Sequence, residues 1–432
     1  MLNLPVCYYT LQNRLRVILS ENHSLPILTV GVYYHIGFRQ EPRGRTGFAH
    51  LFEHLMFQGS RNLGKGEFLR MVQGVGGQLN GSTRLDFTNF YETVPSIALR
   101  DILWAEADRM GGLAITEDNL INQKAVVTQE VKSAVMNTPY GGFPWLDLPQ
   151  HANNNWCNAH NFYGDLQDID AATMEEVSTF FDEHFGPQNA VLVVCGDIDR
   201  TKTVTWIEEY FSPIRARAHT RRLDTSERLQ KQERQVTKVD ALAPRPALAI
   251  AYRVPTRWTD DYFAFALIDR ILLQGAASRL NRALVESRGF TDMVSGGINA
   301  RLGNMFNYQG PMLWFVSLIH DFSVSDAQVL HAFDTEIVRL QSEEVSADEL
   351  SRAINMVRSE FYDLTGAGFV GLVDLLACFA LFDGDPSKIN EVETRFERVT
   401  PMSILRVAQM YFRKGARTIL TLKCQRESGK TL

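Results

Sequence analysis

The sequence lacks paired cysteines at metal spacing, long apolar runs and any excess of positive charge, and each absence removes a class of protein. Its 432 residues contain five cysteines: Cys7, Cys157, Cys195, Cys378 and Cys424. The count is odd and no C-x-x-C occurs, so neither a disulfide framework nor a ribbon-type metal site is expected. A reducing compartment fits best, and Cys195 and Cys378 read as small core residues. The longest apolar stretch, FVGLVDLLACFALF from Phe369 to Phe382, has 14 residues and contains Asp374. It is too short to span a bilayer and reads as a buried helix. Lys and Arg total 44 against 50 Asp and Glu, a formal net charge of −6. That balance argues against nucleic-acid binding. The one basic run, RARAHTRR from Arg215 to Arg222, reads as a solvated stretch. The start, MLNLPVCYYTLQN, has no charged n-region followed by an apolar h-region. A cytoplasmic location is therefore expected, or a periplasmic or organellar one if a precursor has been trimmed. No G-x-S-x-G occurs. GAGFVG, Gly366 to Gly371, matches G-x-G-x-x-G in letters, but it follows a predicted helix rather than a strand, so nucleotide binding is not expected there.

What is present suits a two-domain globular chain: 45% hydrophobic and 22% charged residues over 432 positions. Strands are predicted at Leu15–Ser20 and Leu28–Ile36, where β-branched and aromatic residues dominate. Helical patterns follow at Gly47–Gln58, Gly66–Val75, Ser96–Met110 and Glu117–Met136, with a strand pair inside Gly77–Pro95. A helix at Ala171–Phe185 leads to a strand at Asn189–Ile198. The stretch from Ser212 to Gln235 is polar and aperiodic. It divides the chain into residues 1–212, a linker at 213–235, and residues 236–432. Beyond it come strands at Ala247–Val254 and Gly310–Ile319, helices at Asp260–Leu273, Ser278–Ser287, Ser325–Ser342, Ser346–Leu364 and Pro401–Phe412, and the closing strand TILTLKC. That last helix–turn–strand unit echoes TMEEVSTFFDEHFGPQNAVLVVC, which ends at Cys195. The echo points to a duplicated α+β domain.

One apolar run carries titratable groups out of keeping with a buried helix. GFAHLFEHLMFQG, Gly47 to Gly59, contains His50, Glu53 and His54. On a helix, residues i and i+4 share a face, so both imidazoles reach one point. Glu53 projects beside them, rotated by roughly 100° from His54. Burying two histidines and a carboxylate among Leu51, Leu55, Met56 and Phe57 is costly unless something compensates. A bound Zn²⁺ does so: neutral imidazoles are its ligands, and an adjacent carboxylate can take a proton from water that the metal activates. The pattern is H-x-x-E-H, the inverse of H-E-x-x-H. A third ligand is needed. Glu130, Glu92, Glu106 and Asp108 are all acidic candidates.

Here the sequence resembles the pitrilysin or insulinase-type inverzincin metallopeptidases. Members share H-x-x-E-H and, some 75 residues on, a glutamate in a V-V-x-x-E type context; AVVTQEV places Glu130 76 residues after His54. The resemblance implies His50, His54 and Glu130 as ligands of one zinc per chain and Glu53 as general base. LNGSTRLDFTNFYETVP is similar to the family's edge-strand segment, with Asn80, Thr83, Asp86 and Thr88 matching. The resemblance implies that substrate peptide adds to this strand, with Asn80 and Thr83 as substrate-binding residues. Two positions depart. Gln123 stands seven residues before Glu130, where the family usually has a second glutamate, and an amide cannot act as a base. In LVESRGFTDMV, the positions of the family's substrate-holding Arg and Tyr are Val285 and Asp292. Arg288 is out of register, and Arg279 or Tyr308 are alternative sources. This is the pattern of the zinc-bearing subunit in two-subunit members, which take the Arg/Tyr pair from a homologous partner lacking H-x-x-E-H.

The resulting expectation is an α+β chain of two similar domains, each a mostly antiparallel sheet packed with helices. Together they would form half of a clam-like chamber. Its function would be that of a zinc endopeptidase subunit acting on peptides or unfolded precursor segments, in a heterodimer, with no nucleic acid and no membrane span. The alternative is a non-catalytic structural or binding subunit that keeps the fold.

Overall fold

A computed structural model describes residues 2–217, 222–366 and 369–424. The basic run thus lies partly outside the described residues, as do Ala367 and Gly368 of GAGFVG. Gly366 ends one helix and Val370 opens the next, so that motif sits between helices and not after a strand.

Eleven strands among the described residues form two sheets. The first holds β1 (Cys7–Thr10), β2 (Arg16–Glu21), β3 (Ile27–Tyr34), β4 (Gln78–Thr83), β5 (Thr88–Pro95) and β6 (Ala190–Gly196). Their order is β1-β2-β6-β3-β5-β4. The second holds β7 (Arg234–Asp240), β8 (Ala247–Arg253), β9 (Val294–Ile298), β10 (Leu313–Ile319) and β11 (Thr418–Cys424), in the order β7-β11-β8-β10-β9. In the first sheet β2 and β6 are parallel and every other pair is antiparallel. In the second, β7 and β11 are the one parallel pair. Leaving β1 aside, the two sheets share one topology, with β2, β6, β3, β5 and β4 answering to β7, β11, β8, β10 and β9. The mostly antiparallel, duplicated α+β architecture expected from the sequence is therefore present.

The main helices repeat likewise. The first half contributes α1 (Phe48–Leu55), α2 (Leu99–Gly111), α3 (Glu117–Val131) and α4 (Met174–His184). The second contributes α5 (Asp260–Leu272), α6 (Asp326–Ser342), α7 (Ala347–Gly366), α8 (Val370–Asp383) and α9 (Pro401–Tyr411). α4 and α9 both begin with a threonine capping box, at Thr173 and Thr400. Among the described residues no single helix is long and apolar enough to cross a membrane.

β3 and β6 are apolar on both faces for a reason the topology supplies. Val17, Leu19, Val30, Val32, Leu192 and Val194 pack under helices of their own half, with Leu103, Met110 and Phe180. The alternate residues Ile18, Tyr33, Val191, Val193 and Cys195 pack against the core of the second half, including Val373 and Leu376 of α8. The approach is close: a Cβ on Gly31 of β3 would lie 2.5 Å from Val373 Cγ1. The exchange is mutual. Leu148, Phe143 and Trp145 of the first half cover Ala249, Ala251, Phe315 and Leu420 of the second sheet. Asp86 adds a polar tie, its Oδ2 accepting from Gln309 N at 2.6 Å.

Several boundaries differ from expectation. The helix predicted to Met136 is α-helical only to Val131 and widens into a π-turn over Lys132–Met136. The helix predicted at Ser278–Ser287 is a π-turn at Asn281–Glu286. The one predicted from Ala171 begins only at Met174, where Thr173 caps α4, and Ala171 ends a separate short helix, Leu166–Ala171. The linker predicted to end at residue 235 already contains the first two residues of β7, where backbone pairing with β11 overrides its polar composition.

Candidate metal centre

α1 is positioned by its N-terminus. Gly47, the N-cap, has φ 82°, a left-handed conformation that favours glycine. A Cβ there would also lie 2.6 Å from Tyr163 O. The free N–H groups of the first turn are taken by a buried carboxylate: Gly47 N and Ala49 N donate to Glu41 Oε2 and Oε1 at 2.8 and 2.7 Å. Burial pushes the Glu41 carboxyl up, against hydrogen bonds from His160 and these two N–H groups. His160 is itself held above its ordinary value: burial opposes the shift, but Glu41 outweighs it. Thr46, just before the helix, donates through both N and Oγ1 to Asp168 Oδ2. The helix therefore enters its site along a fixed path.

The two imidazoles of α1 converge as the spacing requires. His50 Nε2 and His54 Nε2 lie 3.3 Å apart. Glu130, at the end of α3, faces both, with Oε1 3.5 Å from His50 Nε2 and Oε2 3.4 Å from His54 Nε2. Among the described residues these three form the one group of His, Cys, Asp or Glu side chains with metal-ligand spacing. The other acidic candidates for the third ligand are engaged elsewhere. Glu92 and Glu106 are buried around Arg109, and Asp108 accepts from Ser60 Oγ and Asn62 N.

The spacing fits a single ion. Ligands about 2.0–2.1 Å from a tetrahedral Zn²⁺ lie roughly 3.3 Å from one another, which is the separation of these nitrogens and oxygens. The electrostatics agree. Burial drives His50 down to about 4, with Glu130 opposing and His54 reinforcing the shift, so it is a neutral imidazole with a free lone pair. Glu130 is held below the usual carboxylate range, chiefly by its hydrogen bond with His54. A lone pair on His50 and a carboxylate facing one point attract a cation.

Glu53 stands beside this group and is set by the edge strand. Thr83 Oγ1 donates to Glu53 Oε2 at 2.8 Å. Burial raises the Glu53 carboxyl and Thr83 pulls it back. Thr83 is only 3% exposed. The strand's alternation turns it inward to the base. Asn80, three residues earlier and on the opposite side of the alternation, is exposed, and its Oδ1 accepts from Gly81 N. β4 is the edge of its sheet, with one side unpaired. Gln123 is buried on α3, two turns before Glu130.

Sequence reasoning missed the aromatic surround. Phe162 and Tyr163 pack on the His50 ring at centroid distances of 4.7 and 5.4 Å, and Trp145 packs on both. The Tyr163 hydroxyl is pushed up to about 12, by burial first and then by Glu130. Their signal was HNFYG, aromatics beside a glycine that allows close approach, but nothing local links it to α1.

The alternative sources of the Arg/Tyr pair are occupied. Arg279 forms a two-pronged pair with Glu349 at 2.9 and 2.7 Å, and Tyr308 is buried. Arg288 donates to Ala283 O. Asp292 is exposed and pairs with Arg245 at 3.4 Å.

Comparison with known proteins agrees with this geometry. Residues 16–140 match the family model described as insulinase (peptidase family M16), and residues 171–357 match the one described as the peptidase M16 inactive domain. The zinc protease PqqE of Helicobacter pylori is 25% identical over 96% of this chain and 92% of its own length. A probable mitochondrial-processing peptidase subunit beta of Arabidopsis thaliana is 22% identical over 93% of this chain and 75% of its own. Among solved structures, a protease from Helicobacter pylori superposes with a TM-score of 0.89 at 22% identity, over 98% of this chain and all of that one. The periplasmic protease PqqL of Escherichia coli gives 0.78 at 15% identity; this chain is covered to 99%, that chain to 49%. Sequence, topology and site thus agree: the chain belongs to the M16, or insulinase-type, peptidase family.

Proposed function

We propose that the chain is the zinc-bearing subunit of a two-subunit endopeptidase. The observation that carries this is the convergence of His50, His54 and Glu130 within ligand spacing, with Glu53 beside them and tied to the unpaired edge strand β4. When bound, Zn²⁺ supplies a Lewis acid that polarises a carbonyl and activates water at neutral pH. The chain's own residues do the rest. Glu53, held by Thr83, takes a proton from the attacking water and delivers it to the leaving amine. β4 offers backbone N–H and C=O groups to an extended peptide, with Asn80 exposed on that strand. Glu41 and Thr46 fix the helix that presents the imidazoles.

The Arg/Tyr pair comes from a homologous partner that lacks H-x-x-E-H. Val285 and Asp292 occupy the corresponding positions here, and Arg279 and Tyr308 are committed elsewhere. The PqqL chain, about half of which this chain matches, suits a complete unit made of two such pieces. Substrates are peptides or unfolded segments small enough for a closed chamber. A non-catalytic role is the second reading, favoured by Gln123 in place of a glutamate.

Metal analysis of the native protein, with peptidase assays with and without the partner, tests both. One zinc per chain and cleavage that depends on the partner support the proposal. Zinc without cleavage, even with the partner, supports the second reading. Full activity of the chain alone refutes the heterodimer.

A further inference from the structure

The second half repeats the first down to the helix that corresponds to α1. α5 follows β8 and precedes the edge strand β9, as α1 follows β3 and precedes β4. DRILLQG, Asp269 to Gly275, aligns without a gap on EHLMFQG, Glu53 to Gly59. Asp269 thus stands in the place of Glu53, Arg270 in that of His54, and Ala266 in that of His50. α7 corresponds to α3 in the same register. Thr116 caps α3 through Asn119 N, and Ser346 bonds Glu349 N at the start of α7. Glu130 and Glu360 each fall fourteen residues after that hydroxyl.

The contact between the two helices survives although its chemistry has changed. In the first half His54 meets Glu130. In the second, Arg270 Nη2 donates to Glu360 Oε2 at 2.6 Å, and Nη1 to Asp269 Oδ2 at 2.5 Å. Asp269 is fully buried, and its Oδ1 accepts from Trp314 Nε1 of β10 at 2.7 Å. Gln274, beside it, donates to Gly296 O in β9 at 3.2 Å. Glu53 is tied to its edge strand through Thr83. Asp269 reaches its own through Gln274.

We propose that Arg270 is a built-in cation that takes, in the second half, the place a metal ion takes in the first. It neutralises Asp269 and Glu360, and it joins α5 to α7 behind β9 without any bound ion. A guanidinium suits this task. It is always charged, it offers several donors in a fixed fork, and it loses less hydration than an ammonium. Two neighbouring carboxylates, one of them buried, need such a charge. The second half is then a metal site closed by a side chain, and restoring the imidazoles reopens it.

Two experiments test this, and the second rests on the reading that the first half binds zinc. In thermal melts, R270M should lower the melting temperature by about 5 °C or more, because it leaves the acid pair uncompensated. R270K should lose less, and D269N added to R270M should recover part of the loss. An R270M protein that melts with the wild type overturns the proposal. In metal analysis after extensive dialysis, wild type should hold one zinc per chain and A266H/R270H two, the extra one on the introduced imidazoles and Glu360. A folded A266H/R270H protein that still holds one zinc overturns the equivalence. A wild type with no zinc strikes the first-half reading alone, and the melts then decide the role of Arg270.

Discussion

Replacing Glu41 should loosen the proposed metal centre from behind. Its two oxygens accept from Gly47 N and Ala49 N at 2.8 and 2.7 Å, in a fully buried setting. Loss of a buried acceptor leaves each N–H unsatisfied, at about 1–3 kcal/mol apiece. Removing the carboxylate also relieves its own desolvation, which offsets part of the loss. A net cost of about 3 kcal/mol for E41A follows, and less for E41Q, which keeps one acceptor and the volume. The cost is local: His50 is only the third residue of α1, so fraying at Gly47 moves a proposed ligand. Each 1.4 kcal/mol corresponds to about tenfold in an equilibrium. Zinc transfer to a chelator should therefore be at least tenfold faster or more complete in E41A than in wild type, with E41Q between them. Thermal melts and a chromogenic chelator read both quantities. An E41A protein that melts normally and keeps its zinc as long as wild type refutes the reasoning.

Three further outcomes are expected. Because the His160 imidazole is raised by its contact with Glu41, its contribution to stability is present below about pH 6.5 and lost as pH rises through the folded-state value. Burial raises Glu41 too, so its share is likewise lost with rising pH, starting from its unfolded value of about 4.3; the melting temperature should fall as pH rises above about 6.5, and H160Q should reduce that fall. E53Q should retain zinc and lose about 10²–10⁴ in kcat; T83V should retain zinc and lose about tenfold in kcat, from one missing hydrogen bond to a carboxylate, and unchanged kcat in T83V would show that the hydroxyl does not position the base. G31A should destabilise by about 1–3 kcal/mol through overpacking against Val373, and a double-mutant cycle with V373A should reveal coupling, since additive effects would mean that α8 does not press on β3.

The helix that carries His50 and His54 was legible in the sequence because its information is local. His50 and His54 are one turn apart, and no tertiary contact is needed to bring them to one face. Glu130 was legible only through family resemblance: a separation of 76 positions from His54 leaves four acidic candidates that spacing cannot rank, and the fold ranks them by burying two of the others around Arg109. The apolar strands β3 and β6 were also plain. β9 was not, because Gly296 and Gly297 erase the β-branched signal of a strand that backbone pairing with β10 nevertheless forms. Thr83 was placed on the right strand, but its bond to Glu53 was not visible, since alternation reports a face and not what occupies it. Glu41, His160 and Tyr163 escaped altogether, because each acts across more than a hundred residues or through a cap that periodicity does not encode.

The crossed packing of the two halves bears on how this chain can be cut. Severing the polar connection near residue 220 would yield two fragments, each with a sheet stripped on one side. The amino-terminal piece would lose α8 from β3 and β6, exposing Ile18, Tyr33 and Val193. The carboxyl-terminal piece would lose the cover of Phe143 and Leu148. Nicked protein should therefore stay associated under native conditions, and fragments made separately should be sticky until mixed.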